Sequence, residues 1–315
     1  MTKPIDIPGL IRGESNADYH ANLAVSNSGL KKFNQRPSLF KKHFDGLVKQ
    51  EETPSMAIGT ATHTLVLEPD LFAAQYEVLP EDFNARTNDG KGLMKKIEAE
   101  GKTPLKHDAY RDLVEYRESV MANPVARALL AQGEAELTWR LRGATHSLQC
   151  RTDWMCFAAP LWPAMEGEGN DLPAVGEPYT VDFKTTQALD DWCSDGWNNP
   201  VFKFGYDRQL VFYRLVMNVI LKNAGLPTVE RFYFVVAEKQ EPRECAVFAI
   251  DTDTLEAAMA TIMDDLNRLA RCFETGVWPG FRQDVVLTGI ADRVRDSRAL
   301  EAMNSRRMLN EPEAE

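Results

Sequence analysis

Polar and apolar positions alternate in two stretches near the middle of the chain. Glu134-Ala135-Glu136-Leu137-Thr138-Trp139-Arg140-Leu141 is one, and Leu148-Gln149-Cys150-Arg151-Thr152-Asp153-Trp154-Met155 is the other. A period of two belongs to strands, and Gly143-Ala144-Thr145-His146 lies between them, so the pair predicts an antiparallel hairpin with Asp153 ending its second strand. Tyr179-Thr180-Val181-Asp182-Phe183-Lys184-Thr185-Thr186 opens on β-favouring residues and predicts a further strand. Arg231 to Ala237 predicts a buried strand, and Cys245 to Ile250 another. Elsewhere the spacing is helical. Ser26-Asn27-Ser28 offers capping hydroxyls before Leu30 and Phe33, and Pro37 starts a second short helix carrying Leu39, Phe40 and Phe44. Met56 to Glu68 predicts a helix of small residues that pack closely and stop before Pro69. Thr103-Pro104 opens a helix to about Met121, and Pro124 opens a shorter one. A long helix is expected over Phe202–Asn223, and another from Asp251 or Thr252 to Thr275. Residues 1–25, 80–104 (with Asn88-Asp89-Gly90-Lys91-Gly92 as a turn) and 158–178 are expected to be irregular. The order predicts an α/β fold, a mixed central β-sheet flanked by helices with helical N-terminal additions. Residues 1–55 form an N-terminal helical segment of the same domain, 56–282 its core, and 283–315 a charged tail.

Composition narrows the class. The chain has 315 residues, 44% hydrophobic and 26% charged, enough apolar material for a core. A formal net charge of −11 argues against coating nucleic acid with the whole surface. It leaves room for a basic groove on an acidic body, or for carboxylates gathered round metal ions. Five cysteines without a C-x-x-C suggest neither a disulfide framework nor a zinc knuckle. Residues 1–9 carry no apolar leader core, and the apolar run Leu210–Leu221 is interrupted by Arg214 and Asn218. A soluble, cytoplasmic protein without a membrane partner is expected.

The candidate chemistry lies on the strands. Asp182 and Lys184 are two apart, so a carboxylate and an ammonium share one strand face. Such a pair can be a solvated salt bridge, or a ligand for a hard cation beside a water-positioning lysine. Asp153, 29 positions earlier, can share that cation if the strands are neighbours, and Glu136 can add a third carboxylate. Gln209 and Tyr213 are four apart on the long helix and present polar tips at the head of an apolar stripe. His63 lies on one helix face with Gly59 and Leu67; alone it reads as structural. Lys31, Lys32, Arg36, Lys41, Lys42 and His43 form the strongest basic run, either a solvated face or a phosphate-contacting edge. Trp192 and Trp197 either pack under a loop or stack on bases.

Asp153, Asp182-x-Lys184 and Gln209-x-x-x-Tyr213, with Gly59-Thr60-Ala61-Thr62-His63 upstream, resemble the PD-(D/E)xK nuclease superfamily in its RecB-like branch. Three further runs are similar to RecE-type exonucleases (exodeoxyribonuclease VIII) and their phage-encoded relatives. These are Ser26-Asn27-Ser28-Gly29-Leu30-Lys31-Lys32, the G-x-x-x-H-x-x-x-L-E-P run from Gly59 to Pro69, and Cys150-Arg151-Thr152-Asp153 followed by Asp182 to Thr186. The resemblance covers about residues 18–280.

That resemblance implies Mg²⁺ or Mn²⁺ on Asp153 and Asp182, with the Phe183 carbonyl a third ligand. His63 would sit at or near a second metal, with Glu136 a further ligand. Lys184 would orient or help deprotonate the attacking water, and Gln209 and Tyr213 would hold its neighbourhood or the DNA phosphate. No iron–sulfur cluster is expected, since the four-cysteine pattern of the iron–sulfur relatives is missing. The implied activity is 5′ to 3′ digestion of double-stranded DNA from its ends, leaving 3′ single strands for recombination. A homo-oligomeric ring (trimer or tetramer) and a single-strand annealing protein are the implied partners. DNA contacts are expected at Ser28, Lys31, Lys32, Arg36 and Arg151, with Ser28, Arg86 and Arg151 as candidates for a 5′-phosphate pocket. Two alternatives stay open: another RecB-like nuclease acting on single-stranded or nicked DNA in repair or defence, and a non-catalytic DNA-binding or assembly protein of the same fold.

Overall fold

The computed structural model describes residues 7–48, 54–162, 171–285, 288–289 and 296–297. Met1–Trp278 forms one compact unit and Pro279–Glu315 a second. Most of the expected tail, and part of the 158–178 loop, lie outside the described residues.

In chain order the first unit contains β1 (Leu10–Ile11), α1 (Asn16–Ala21), α2 (Asn27–Gln35), α3 (Pro37–Phe44), α4 (Pro54–Leu67) and α5 (Pro69–Gln75). Then come β2 (Tyr76–Val78), α6 (Asn88–Ala99), β3 (Thr103–Leu105), α7 (His107–Ala122) and α8 (Pro124–Leu129). The core follows: β4 (Glu134–Arg142), β5 (Ser147–Cys156), β6 (Tyr179–Thr186), α9 (Pro200–Phe204), α10 (Tyr206–Asn223), β7 (Arg231–Glu238), β8 (Cys245–Ala249) and α11 (Thr252–Thr275). A six-stranded sheet has the order β1-β4-β5-β6-β7-β8. All its pairings are antiparallel except β6 with β7. The α/β fold with a mixed sheet flanked by helices is therefore as the alternation and helical spacing predict.

Strand β7 shows why the sheet is central. Phe232, Phe234 and Val236 pack into the larger apolar cluster with Leu210, Val216 and Ile220 of α10 and Ile262 of α11. Tyr233, Val235 and Ala237 pack on the other face with Tyr116 and Val120 of α7 and Leu129 of α8. A strand buried on both faces has no polar face to show, so its sequence is a continuous apolar run. A satellite cluster joins Ala61 and Leu65 of α4 to Phe72, Leu105 and Leu113.

Five expectations are corrected. Residues 1–25 hold β1 and α1; Leu10 and Ile11 pair with Trp139 and Thr138, too short a ladder to leave a period in the sequence. The turn expected at 88–92 lies inside α6: Thr87 caps that helix, and Gly90 lets it pass over Asn84, whose carbonyl oxygen would sit 2.0 Å from a Cβ. Thr103-Pro104 starts no helix, because it forms β3 beside β2, and Lys106 precedes α7. The expected helix over Phe202–Asn223 is broken at Gly205, whose left-handed φ of 70° ends α9 and starts α10 in a new direction. Close packing at Gly59 is not found either, since a Cβ there would meet nothing within 4 Å; Ala61 makes the packed face.

Candidate active site

Strand β6 has one apolar and one polar face. Tyr179, Val181 and Phe183 enter the α7–α8 core. Thr180, Asp182, Lys184 and Thr186 point the other way, towards α10. There Asp182 is buried, with its Oδ2 bound to the Lys184 ammonium. Its Oδ1 accepts a 2.7 Å hydrogen bond from Gln209 Nε2 of α10. Both carboxylate oxygens of a buried acid are thus occupied, as burial demands. Tyr213 lies one turn beyond Gln209. Its phenol is pushed well up by burial, with Asp182 and Asp153 among the neighbouring charges that add to the effect.

Strand β5 brings in Asp153. The β5–β6 ladder begins with Trp154 opposite Val181, so Asp153 and Asp182 occupy the first step where the strands part. The freed amide of Phe183 donates to Asp153 Oδ2 at 2.8 Å, replacing the lost ladder partner with a carboxylate. Asp153 lies three residues inside the strand rather than at its end, since β5 runs to Cys156. Opposite it on β4, Glu136 has a left-handed φ of 50°. The ladder skips this pair, passing from Ala135–Trp154 to Leu137–Thr152. The turned backbone takes the pair out of the ladder, yet the two carboxylates stay close enough to repel.

Helix α4 supplies His63. Its Nδ1 lies 3.4 Å from Asp153 Oδ2, and its ring meets the Phe183 ring edge-on at 5.4 Å. One donor atom each from His63, Glu136 and Asp153 falls within 4.8 Å of the others, a grouping able to hold a metal ion.

The electrostatics fit a cation. Burial lowers His63 to about 4, leaving a neutral imidazole with a lone pair at neutral pH. Burial, with the Asp153 charge adding to it, raises Asp182 to about 6 despite Lys184. Asp153 is raised by burial, against the pull of Lys184. Glu136 is pushed up to about 8 by burial, with Asp153, Glu68 and Asp182 adding repulsion. Burial alone would lower Lys184, but Asp182 and Asp153 hold it above its ordinary value, so it stays an ammonium. Four carboxylates that feel one another thus share two nearby cations, Lys184 and Arg151. A divalent ion would balance that excess and draw the acids back to their ionised forms.

Two neighbours carry no signal in the reading of the strands alone. Tyr206 places its ring 5.1 Å from Lys184 Nζ, a cation–π contact. It precedes Gln209 by three and Tyr213 by seven, so the helical stripe that pairs those two already contains it. Glu68 follows α4 and is raised by burial. Five residues after His63, it falls outside the i, i+3, i+4 pattern.

The expected DNA-contacting residues separate into two groups. Arg151 is committed internally: it donates to Thr138 Oγ1 at 3.0 Å, to the Glu14 carbonyl at 3.0 Å and to Asn16 Oδ1 at 3.2 Å, and lies over Tyr19. Its guanidinium pins the N-terminal segment to β5. Ser28 is exposed beside Ser26, whose hydroxyl caps α2. Lys31 and Arg36 are exposed and Lys32 is half-buried on α2 and the turn after it. Lys31 Nζ donates to the Phe204 carbonyl at 3.3 Å, so this basic helix abuts α9. Arg86 is exposed between β2 and α6. Trp192 and Trp197 also part company: Trp192 is buried against Tyr206 and Phe248, while Trp197 is 81% exposed.

A family model described as a PDDEXK-like domain of unknown function (DUF3799) matches residues 26–159 and 171–284, which include every strand and helix named in this site. No curated protein matches the sequence. Among solved structures, a crystal structure named “Putative exonuclease” from Eubacterium rectale is similar, with a TM-score of 0.56 over 92% of this chain and 99% of that one. At 15% identity, that likeness is one of fold. No helix among the described residues is long and apolar enough to cross a membrane. The chain belongs to the PDDEXK-like DUF3799 family.

Proposed function

We propose that the protein is a divalent-metal-dependent DNA exonuclease that hydrolyses phosphodiester bonds at the ends of linear duplexes. The observation that carries this reading is the meeting of Asp153, Asp182 and Lys184 at the opening of β5 from β6, with His63 and Glu136 across from them. The donor set suits a hard cation such as Mg²⁺ or Mn²⁺: buried carboxylates raised in pKa for want of positive charge, and a neutral imidazole. Asp153, Asp182, Glu136 and His63 would hold it, with the Phe183 carbonyl as a further ligand. Such a cation supplies an acidified water and neutralises charge on the phosphate. Lys184, kept protonated by two carboxylates, donates to the attacking water or to a phosphate oxygen. Gln209 fixes the Asp182 carboxylate so that it does not rotate with Lys184.

The finer reading is 5′ to 3′ digestion that leaves a 3′ strand for annealing and recombination, by a ring of three or four copies working with a single-strand annealing protein. Its support is the order of motifs along the chain. The test compares linear and circular duplex DNA in Mg²⁺, with wild type beside Lys184→Ala. Linear DNA is expected to shorten and circular DNA to persist, with the variant slower by about a thousandfold or more. Equal cutting of the circle would remove the end-dependent reading; undiminished activity in Lys184→Ala would remove the site.

A further inference from the structure

The segment between β6 and α10 exposes aromatic rings that a folded chain with this much core has no structural reason to leave in water. Trp197 is 81%, Phe202 58% and Phe204 47% exposed. Trp197 and Phe202 meet edge to face at 4.9 Å, forming one surface. Exposed apolar groups that cluster, rather than scatter, mark binding surfaces. The surface is held firmly. Asn199 caps α9 through Val201 N, and its Nδ2 donates to the carbonyls of Trp192 and Ser194. Trp192 beneath is a core residue. Aromatic side chains on a fixed backbone have only two torsions to lose when a ligand lands on them.

Helix α9 separates this pair from the candidate catalytic lysine by its own width, since Phe204, two positions after Phe202, leaves it on the opposite side. The Phe204 ring lies 5.6 Å from that of Tyr206, and Tyr206 faces Lys184 Nζ at 5.1 Å. Cations border this side: Lys203 Nζ lies 5.5 Å from the Phe204 ring centroid, and Lys31 Nζ is tied to the Phe204 carbonyl. Aromatic faces interleaved with cations are the recurring means of holding single-stranded nucleic acid, because every base has a π-face. Asp190, Asp191 and Asp195 precede Trp197 on the same segment, which favours contact with base faces over contact with phosphates.

We infer that Trp197 and Phe202 form a stacking platform for unpaired nucleobases of a DNA strand that passes over α9, by Lys203 and Phe204, to or from Lys184. This rests on the nuclease reading and adds a second element to it: a place where the duplex end is held open while the phosphate is positioned.

The experiment measures binding of a labelled oligothymidine of about a dozen nucleotides by the full chain in chelator, so that nothing is cut, and separately measures duplex hydrolysis in Mg²⁺. Trp197→Ala is expected to weaken oligothymidine binding by about tenfold, and Phe202→Ala or Phe204→Ala by a smaller factor. Trp197→Phe, which keeps an aromatic face, should restore most of the affinity. Oligothymidine should also quench tryptophan fluorescence in wild type and much less in Trp197→Ala. All three positions are exposed, and an unchanged melting temperature would show that the variants fold. Affinity within about twofold of wild type in Trp197→Ala and Phe202→Ala overturns the platform, as does a wild type that binds no oligothymidine. Duplex hydrolysis with unaltered oligothymidine affinity sinks the platform and leaves the nuclease. Trp197-dependent binding without hydrolysis by any form sinks the nuclease and leaves the platform.

Discussion

Strands β6 and β7 lie side by side, parallel and in register from Tyr179–Arg231 to Thr186–Glu238. They cross the same interior between the same helical layers, yet only one is apolar on both faces. Where β7 turns Phe234 towards α10, β6 turns Asp182, and Gln209 and Tyr206 come from that helix to meet it. Asp182 is as well buried as many core side chains, but its surroundings are built from hydrogen bonds and opposed charges. Adjacent positions in one sheet thus serve opposite ends: β7 lowers the free energy of the fold, and β6 holds charge in a place where charge is unfavourable without a cation.

Four outcomes sharpen that contrast, in decreasing size. Phe234→Ala should cost about 3–5 kcal/mol of stability in chemical denaturation, the usual loss for emptying a core aromatic. Glu136→Gln in metal-free protein at pH 8 should go the other way, raising stability by about 1 kcal/mol while weakening divalent-cation binding. A destabilised Glu136→Gln would mean that the carboxylate is already compensated without metal. Next, the acids set a pH dependence. Glu136 has its folded pKa raised from the ordinary carboxylate range to about 8, so the folded state holds the proton more tightly than the unfolded chain. Metal-free stability should therefore fall as pH rises from about 7 to 8.5, past the midpoint near 6.5 at which His63 titrates in the unfolded chain. The rise in melting temperature caused by Mg²⁺ or Mn²⁺ should grow over the same interval, since protons and cation compete. Thermal melts with and without the cation check both, and a pH-independent increment would separate the cation from these carboxylates. Last and smallest, Gln209→Ala should reduce turnover by roughly threefold with little change in substrate KM, because it orients Asp182 rather than binding DNA. A loss confined to KM would place Gln209 on the substrate.

Much of this was legible from residue spacing, and the failures have physical causes. The hairpin and α11 follow from periods of two and 3.6 sustained over many residues, β6 from its β-favouring residues and β7 from its continuous apolar run. Helix α6 did not, because Asn-Asp-Gly-Lys-Gly has turn composition and only the tertiary approach of Asn84 explains Gly90. Gly205 lay inside an unbroken helical pattern, and its left-handed φ is a backbone fact with no hydrophobic trace. In the site, Asp182 with Lys184 and Gln209 with Tyr213 followed from face arithmetic, and the Asp182–Gln209 hydrogen bond places those two faces together. Tyr206 was within reach of the same arithmetic. Arg151 was not: two residues from Asp153, it shares a strand face with it, but its long side chain is drawn aside by Glu14, Ser15 and Asn16 from a segment with no periodic signal.

The origin of the metal-competent donors has a mechanical side. Glu136 and Asp153 belong to the sheet, but His63 arrives on α4, a helix whose other face is bedded in the satellite cluster with Ala61 and Leu65. A cation gripped by all three would be a rivet between two layers joined otherwise by side-chain packing. It would close a chain segment of some 90 residues, and tying a loop of that length removes much of the unfolded chain's freedom. Loading the site would then make the helical layer and the sheet open as one body instead of two.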